Sequence, residues 1–165
     1  MRLTRHLFTT VRTHLSKPCA YDLNTMRGVY EECLQTNATS ANMTYGFESG
    51  QPCVAVKLNR IFEFVPILKN RSETPYLEIR CEGLHAADQD NIGHLDYYPK
   101  AGIDTWHFPY VGQKNYLSPL VFVKFRNVTR NVLVQVVCRP VNAVNILQKK
   151  HSKGSGQVQF EILIE

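Results

Sequence analysis

The residues best suited to chemistry in this 165-residue chain are its five cysteines, Cys19, Cys33, Cys53, Cys81 and Cys138. None of them has the Cys-x-x-Cys spacing that is typical of zinc sites and dithiol redox centres. Because the count is odd, pairing within the chain leaves one thiol over. The pattern therefore favours disulfides in an oxidising compartment over metal binding or thiol catalysis.

Four N-glycosylation sequons point to the same compartment. They lie in polar or turn-like sequence and begin at Asn37, Asn42, Asn70 and Asn127. One Asn-x-Ser/Thr triplet says little, but four of them in 165 residues favour a secreted or lumenal domain.

Signatures of an enzyme or of a cofactor site are absent from the sequence. It contains no G-x-S-x-G, H-E-x-x-H or G-x-x-x-x-G-K-[ST] motif. Asp88 and Asp90 could begin a calcium loop, but its fifth and twelfth positions would be Ile92 and Pro99, which lack the required oxygen ligands. The six histidines are dispersed without ligand spacing. We therefore predict no catalytic centre, no cofactor and no metal.

Charge and hydropathy exclude further classes. The chain has 19 Lys and Arg against 14 Asp and Glu, a formal net charge of +5, and no basic run with interleaved aromatics that would indicate nucleic-acid binding. No stretch approaches the roughly 20 apolar residues that span a bilayer. Residues 1–17 are basic and lack the apolar core of a secretory signal. We expect 1–17 to be a poorly specified segment of a longer protein and 18–165 to form one domain.

The elements that must position the cysteines are mostly strands. Residues 53–58 are β-branched and apolar, and residues 61–68 are expected to continue this strand past Pro66. Leu77, Ile79 and Cys81 share one face of a second strand. Residues 82–119 are predicted to be a long loop, and a short helix is possible over residues 26–34.

The clearest alternation lies near the C-terminus. Residues 121–126 and 132–138 alternate with period two on either side of residues 127–130, which predicts an antiparallel hairpin. A final strand over residues 158–164 follows a flexible loop at residues 153–156. Together these segments predict a mostly β fold, an immunoglobulin-like antiparallel β-sandwich with long loops and disulfides.

Phase along the strands predicts one disulfide. Cys81 is in phase with Leu77 and Ile79, and Cys138 is in phase with Val134 and Val136, so both sulfurs should point into the core. We infer a buried bridge that crosses from sheet to sheet and contributes about 4 kcal/mol in the chain-entropy account. A bond from Cys33 to Cys53 would close the polar N-terminal loop and leave Cys19 over. The sequence alone leaves other pairings open.

Recognition is the remaining function, and an aromatic stretch from Tyr97 to Tyr116 is the best candidate surface. Tyrosine and tryptophan are enriched at the buried centres of interfaces. The alternative is that these side chains fill one end of the sandwich, and Trp106 is assigned to the core on that ground. The aromatic residues of this stretch are Tyr97, Tyr98, Trp106, Phe108, Tyr110 and Tyr116.

Several segments, in order, resemble the beta subunits of the sodium/potassium and proton/potassium ATPases. Thr44-Tyr-Gly-Phe-Glu-Ser-Gly-Gln-Pro-Cys53, running into Val-Ala-Val-Lys-Leu-Asn-Arg60, is similar to the hallmark segment of that family. Similar matches occur at residues 76–81, 90–97, 108–112, 115–125 and 156–164, and Cys138 falls at the last cysteine of the family. The resemblance covers about residues 19–165.

The resemblance implies a non-catalytic accessory subunit of a sodium/potassium-exchanging ATPase. Such a subunit supports folding, membrane delivery and ion transport by the catalytic alpha subunit, its partner, at the extracellular side of the plasma membrane. The family pattern implies bonds Cys33–Cys53 and Cys81–Cys138, with Cys19 paired to a cysteine upstream of this sequence. The family's cytoplasmic tail and membrane helix have no counterpart in it, so association with the membrane is expected through the complex and that helix.

The resemblance also directs attention to the residues that could contact the alpha subunit. We predict that these are Tyr45, Gly46, Phe47, Tyr97, Tyr98, Phe108, Tyr110 and Tyr116. The alternative from a different class is a secreted or cell-surface adhesion module, because β-sandwiches carry many unrelated functions.

Overall fold

The structure is a computed structural model, and it describes residues 45–47, 49–114, 116, 118–146 and 156–165. This part of the chain forms two antiparallel sheets. Its strands are β1 (Cys53–Lys57), β2 (Tyr76–Gly83), β3 (His94–Tyr98), β4 (Gly102–Asp104), β5 (Leu120–Arg126), β6 (Leu133–Pro140) and β7 (Val158–Leu163). A short helix, α1 (Ala86–Asn91), and a 3-10 turn (Thr105–His107) connect them.

The sheets have the strand orders β1-β5-β3 and β4-β2-β6-β7. Their facing sides share one hydrophobic core, in which Val121, Val123 and Phe125 of β5 meet Val134 and Val136 of β6. The prediction of a mostly β, antiparallel fold is confirmed. The immunoglobulin-like topology stays a prediction.

The predicted hairpin of residues 121–138 is wrong. β5 pairs with β1 and β3, whereas β6 pairs with β2 and β7, so the chain crosses from one sheet to the other between them. Asn127 and Asn131 in this crossing have positive φ, 58° and 59°. Period-two alternation indicates which side of a strand is buried, but it does not indicate which strand lies next to it.

Two other segments differ from the prediction. Residues 82–119 contain α1, β3, β4 and the 3-10 turn, elements of three to six residues that are too short for a clear periodic signal. Residues 61–68 form no strand and make only isolated bridges, Phe62 to Tyr110 and Leu68 to Ala143. By contrast, the alternation of Leu77, Ile79 and Cys81 is confirmed, since all three are buried on β2.

The structure joins Cys81 to Cys138, but within one sheet rather than between two. The two residues face each other on adjacent strands β2 and β6, with their Cα atoms 4.0 Å apart. Such a short distance is typical of a non-hydrogen-bonded antiparallel pair. The predicted bond between two sheets was wrong. A cysteine that points into the core can be bonded to a neighbouring strand of its own sheet or to a strand of the facing sheet, and alternation does not distinguish the two.

Several predictions lie outside the described residues. They are the segment 1–17, the helix over 26–34, Cys19, Cys33, Asn37, Asn42 and most of the loop 153–156. Cys53 is itself disulfide-bonded, and its partner is outside the described residues because Cys81 and Cys138 are bonded to each other.

Candidate functional site

An aromatic cluster forms around Arg60, just after β1. The rings of Tyr110 and Tyr116 lie 4.9 Å apart, and the Arg60 guanidinium carbon is 5.7 Å from each ring centroid. Arg60 also donates hydrogen bonds to the Ser118 hydroxyl (2.9 Å) and to the Tyr116 carbonyl oxygen (3.3 Å). A cation over two aromatic faces is attracted by both, so Arg60 holds the loop of residues 108–116 against the end of β1.

A hydrogen bond to the 3-10 turn also holds the loop of residues 108–116. Tyr116 is buried, and its hydroxyl donates to the His107 carbonyl oxygen at 3.2 Å. His107 is buried in the 3-10 turn. Burial lowers the pKa of His107, nearby Asp104 opposes that shift and Lys100 adds to it. The loop is therefore held through the backbone of His107, whose buried imidazole is neutral at neutral pH.

A second aromatic group lies on the outer face of the three-stranded sheet. Tyr98 of β3 is opposite Phe122 of β5, and Tyr45 stacks on Phe122 with ring centroids 6.4 Å apart. Next to them Arg126 forms an ion pair with Asp96, and its guanidinium is 3.4 Å from the Tyr98 hydroxyl. This face thus combines aromatic rings with a fixed charge pair.

Tyr97 is turned the other way. It packs against the hydrophobic core, and its hydroxyl accepts a hydrogen bond from the backbone N–H of Cys81 at 2.9 Å. Desolvation raises the pKa of Tyr97, and the bond from Cys81 partly offsets this. Tyr97 therefore connects the two sheets, because it supplies a hydrogen-bond acceptor to the backbone of β2.

Burial revises the predicted contact surface. Gly46 and Tyr116 are buried, and Tyr45, Phe47, Tyr97, Tyr98, Phe108 and Tyr110 are half-buried, so the aromatic residues pack first against one another. Trp106 is 57% exposed, and its assignment to the core was wrong. Its exposure arises because the 3-10 turn directs His107 inward and leaves the preceding residue outside.

Gly46 is required by the shape of a turn. Its φ is +74°, and a Cβ at this position would lie 2.1 Å from the Gln51 carbonyl oxygen. The turn is closed by the Gln51 N–H bonded to the Gly46 oxygen and by the Cys53 N–H bonded to the Tyr45 oxygen, at 2.9 and 2.8 Å. Gly46 therefore positions Tyr45 over Phe122.

Both sequons in the described part of the chain are accessible. Asn70 and Asn127 are exposed. Asn70 begins a turn, in which its carbonyl oxygen accepts from Thr74 N–H at 2.9 Å, and Asn127 lies in the crossing between β5 and β6. Their positions are compatible with attached glycans.

Within the described ranges, no group of three or more His, Cys, Asp or Glu residues is arranged to hold a metal ion. The helices in the same part of the chain are too short and polar to cross a bilayer.

Sequence reasoning did not assign a role to Arg60 or Phe122. Arg60 was visible only as the last residue of the similar segment, and its pairing with Tyr110, 50 residues away, depends on the bridge between Phe62 and Tyr110. Phe122 was expected on the exposed side of β5 by alternation, yet it is only 6% exposed.

The fold and the site define a disulfide-bonded antiparallel β domain with ordered aromatic clusters at its surface. A family model described as "Sodium / potassium ATPase beta chain" matches residues 5–160. The chain belongs to this family.

Individual relatives agree with this assignment. A probable sodium/potassium-transporting ATPase subunit beta-3 of Caenorhabditis briggsae is 37% identical over 91% of this chain and 46% of its own length. Subunit beta-2 of Mus musculus is 42% identical over 73% of this chain and 41% of its own. Subunit beta-2 of Rhinella marina is 36% identical over 94% and 52%. The chain thus spans about half the length of the curated relatives it matches.

Proposed function

We propose that this chain is the ectodomain portion of a non-catalytic accessory subunit of a sodium/potassium-exchanging ATPase. Its partner is the catalytic alpha subunit, and its role is to support the folding, membrane delivery and ion transport of that partner. The observation that carries the proposal is the family match over residues 5–160. The working location is the extracellular side of the plasma membrane, within the complex.

The surface proposed for the alpha subunit combines the two aromatic groups. Tyr110 and Phe108 around Arg60 form one part, and Tyr98 and Tyr45 over Phe122 form the other. Half-buried rings held by neighbours suit this role because they lose little side-chain freedom on binding. Gly46 and Tyr116 act indirectly, by holding these rings in place, whereas Tyr97 faces the core and connects β3 to β2.

Covalent modifications are part of the proposal. We propose a Cys33–Cys53 bond, supported by the disulfide state of Cys53, and a bond from Cys19 to a cysteine outside this sequence. Glycans are proposed at Asn37, Asn42, Asn70 and Asn127. All of these fit an oxidising compartment.

Co-purification tests the proposal. The product of the full-length transcript, expressed in eukaryotic cells with a sodium/potassium-ATPase alpha subunit, should retain that subunit in a detergent pull-down. Arg60→Ala should weaken retention because it releases Tyr110 from its cation, while Leu133→Ser, at an exposed residue on the other sheet, should not. If the wild-type product retains no alpha subunit but binds cell surfaces that lack one, an adhesion module replaces this function.

A further inference from the structure

Exposed apolar side chains are concentrated in one short segment. Ile61, Phe62, Val65 and Ile67 are 56%, 62%, 45% and 57% exposed. We call these four residues the apolar ridge. They account for half of the eight large hydrophobic residues that are exposed in the described part of the chain, and they lie within seven consecutive positions.

The backbone of the ridge is held at both ends. Glu63 N–H donates to the Tyr110 carbonyl oxygen at 2.8 Å, and Ile67 N–H donates to Asn145 Oδ1 at 2.9 Å. Asn145 Nδ2 returns a bond to the Val65 carbonyl oxygen at 2.8 Å. The ridge is therefore a fixed feature of the domain.

Inward and outward side chains alternate from Glu63 to Leu68. Pro66 is buried and Phe64 and Leu68 are half-buried, with Phe64 packed edge-on against Phe108 at 6.2 Å between ring centroids. These inward side chains fix the segment, and the ridge residues therefore face the solvent. Their exposure is unfavourable, because apolar side chains of this size gain free energy when they are buried.

The exposed surface extends to both neighbouring segments. Val144, 54% exposed, donates its N–H to the Ile67 carbonyl oxygen at 2.9 Å. Val111, 50% exposed, follows Tyr110, which bridges to Phe62. A continuous apolar patch of this kind is typical of a protein interaction site.

The charges that border the ridge are mostly positive. Lys69 and Arg71 follow it in sequence, and Lys114 lies three positions after Val111 in the loop of residues 108–116; all three are exposed. Glu63 is the one acidic side chain between residues 60 and 71. We propose that the ridge is a docking surface for a protein partner whose contact area is apolar and bordered by acidic side chains.

Two other occupants fit less well. Entry into a bilayer would carry the exposed Glu63, between Phe62 and Val65, towards hydrocarbon, where an unpaired charge is costly. A second copy of this chain would bring a like-charged border against the first one. An acidic surface on a different protein would complement the positively charged border of the ridge.

The inference rests on the proposed function in taking this partner to be the catalytic subunit. The ridge would then form a second contact beside the aromatic cluster, linked to it through the Phe62–Tyr110 bridge. The two contacts can be removed separately because Arg60 and Ile67 are anchored by different groups, Ser118 and Asn145.

The experiment compares ridge variants of the full-length product in co-expression with an alpha subunit. Phe62→Ser/Ile67→Ser is expected to lower the retained alpha subunit about tenfold, because two large apolar contacts are lost. Lys69→Glu should also lower retention, more at low salt than at high salt, since exposed charges are screened. Leu133→Ser, at a residue 51% exposed on β6, is the matched control and should retain the wild-type amount.

Each remaining outcome overturns the inference in a distinguishable way. If ridge variants retain the alpha subunit while Arg60→Ala loses it, the ridge is not a docking surface and the proposed function stands. If the wild type retains none, both fail. A lower melting temperature of the ridge variants alone would show that the ridge is packed within its own chain. Loss of binding to phosphatidylserine vesicles, with the alpha subunit still retained, would identify a membrane as the occupant.

Discussion

The hydroxyl of Tyr97 and the backbone N–H of Cys81 form a 2.9 Å hydrogen bond on the side of β2 opposite the disulfide. Cys81 faces Cys138 as a non-hydrogen-bonded pair, so its N–H points away from β6. β4 pairs with β2 only as far as Glu78 and cannot reach it. A side chain of β3, in the other sheet, therefore supplies the acceptor that β4 does not.

Tyr97→Phe should lower the free energy of unfolding by about 1 to 2 kcal/mol, because the buried N–H of Cys81 loses its acceptor. Chemical denaturation measures this change. Tyr98→Phe on the same strand is the control: its hydroxyl is a half-exposed, 3.4 Å contact to Arg126, and its loss should have little effect. Equal effects of the two variants would contradict the role given to Tyr97.

Removing the Cys81–Cys138 bond should cost about 4 kcal/mol, since the chain between the two cysteines, separated by 57 residues, regains its freedom when unfolded. The double variant Cys81→Ala/Cys138→Ala, compared with wild type in thermal unfolding, measures the cost. The single variants add a free thiol and are a separate test. An unchanged melting temperature of the double variant would mean that the bond contributes no net stability to the domain.

Asp88 should make stability depend on acid. Its carboxylate accepts from Gln135 N–H (2.9 Å), from His85 N–H (3.0 Å) and from the His85 ring, and the bond from Gln135 is the main cause that lowers the pKa of Asp88 below its ordinary 3.8. A lowered carboxyl pKa contributes stability above the unfolded value, and this is lost as pH falls through the folded value. Asp88→Asn should be less stable than wild type at pH 7, and the difference should shrink below about pH 4.

Denaturation curves at several pH values check this prediction. The carboxylate joins α1 to β6, so Asp90→Asn, at an exposed position on the same helix, is a suitable control. A gap between wild type and Asp88→Asn that stayed constant down to pH 3 would show that the charge of Asp88 contributes nothing.

His107 should also make the domain less stable as the pH falls, but at a pH closer to neutral than for Asp88. Burial keeps its folded pKa below the ordinary 6.5, although Asp104 opposes this, so the unfolded chain takes up a proton first as pH falls. The stability that depends on neutral His107 is complete above pH 6.5 and decreases between 6.5 and the folded pKa.

His107→Gln should remove that part of the pH dependence while keeping a polar side chain of similar size. The measurement is the melting temperature of both proteins between pH 7.5 and pH 5. His94→Gln, whose exposed ring pairs with Asp96, is the control and should keep the slope assigned to His107. Parallel curves for wild type and His107→Gln would exclude a contribution from this residue.

The comparison with the sequence separates two kinds of information. Alternation correctly indicated the core-facing residues Leu77, Ile79 and Cys81 of β2, because every second side chain of a strand lies on the same face. It did not indicate that Phe122 of β5 and Val137 of β6, on the opposite faces of their strands, are buried as well. Nor did it indicate which strands pair: the partners of β5 are β1 and β3, up to 71 residues distant between Cys53 and Lys124. The same gap explains the disulfide, whose two cysteines were identified while its direction was not.

The candidate site was predictable in composition but not in exposure. Tyr98, Phe108 and Tyr110 were found from residue type and resemblance, yet the exposure of Trp106 and the burial of Tyr116 depend on a three-residue 3-10 turn. The apolar ridge was hidden for a related reason. Its side chains look like a strand that continues β1, and only the bonds of Glu63 and Ile67 to distant segments turn them outward.

The crossing between β5 and β6 has a consequence for synthesis of the protein. During synthesis β1 cannot pair until β5 has been made, and β2 cannot pair with β6 until β6 has been made. Neither sheet can therefore form completely while the chain is still short. A nascent chain that ends before residue 120 would present β1 and β2 with open edges, which readily pair with other chains. Nonlocal pairing of this kind also folds slowly. The domain is therefore expected to need chaperone protection until its last third has emerged, and shortened products should be degraded rather than accumulate as partly folded domains.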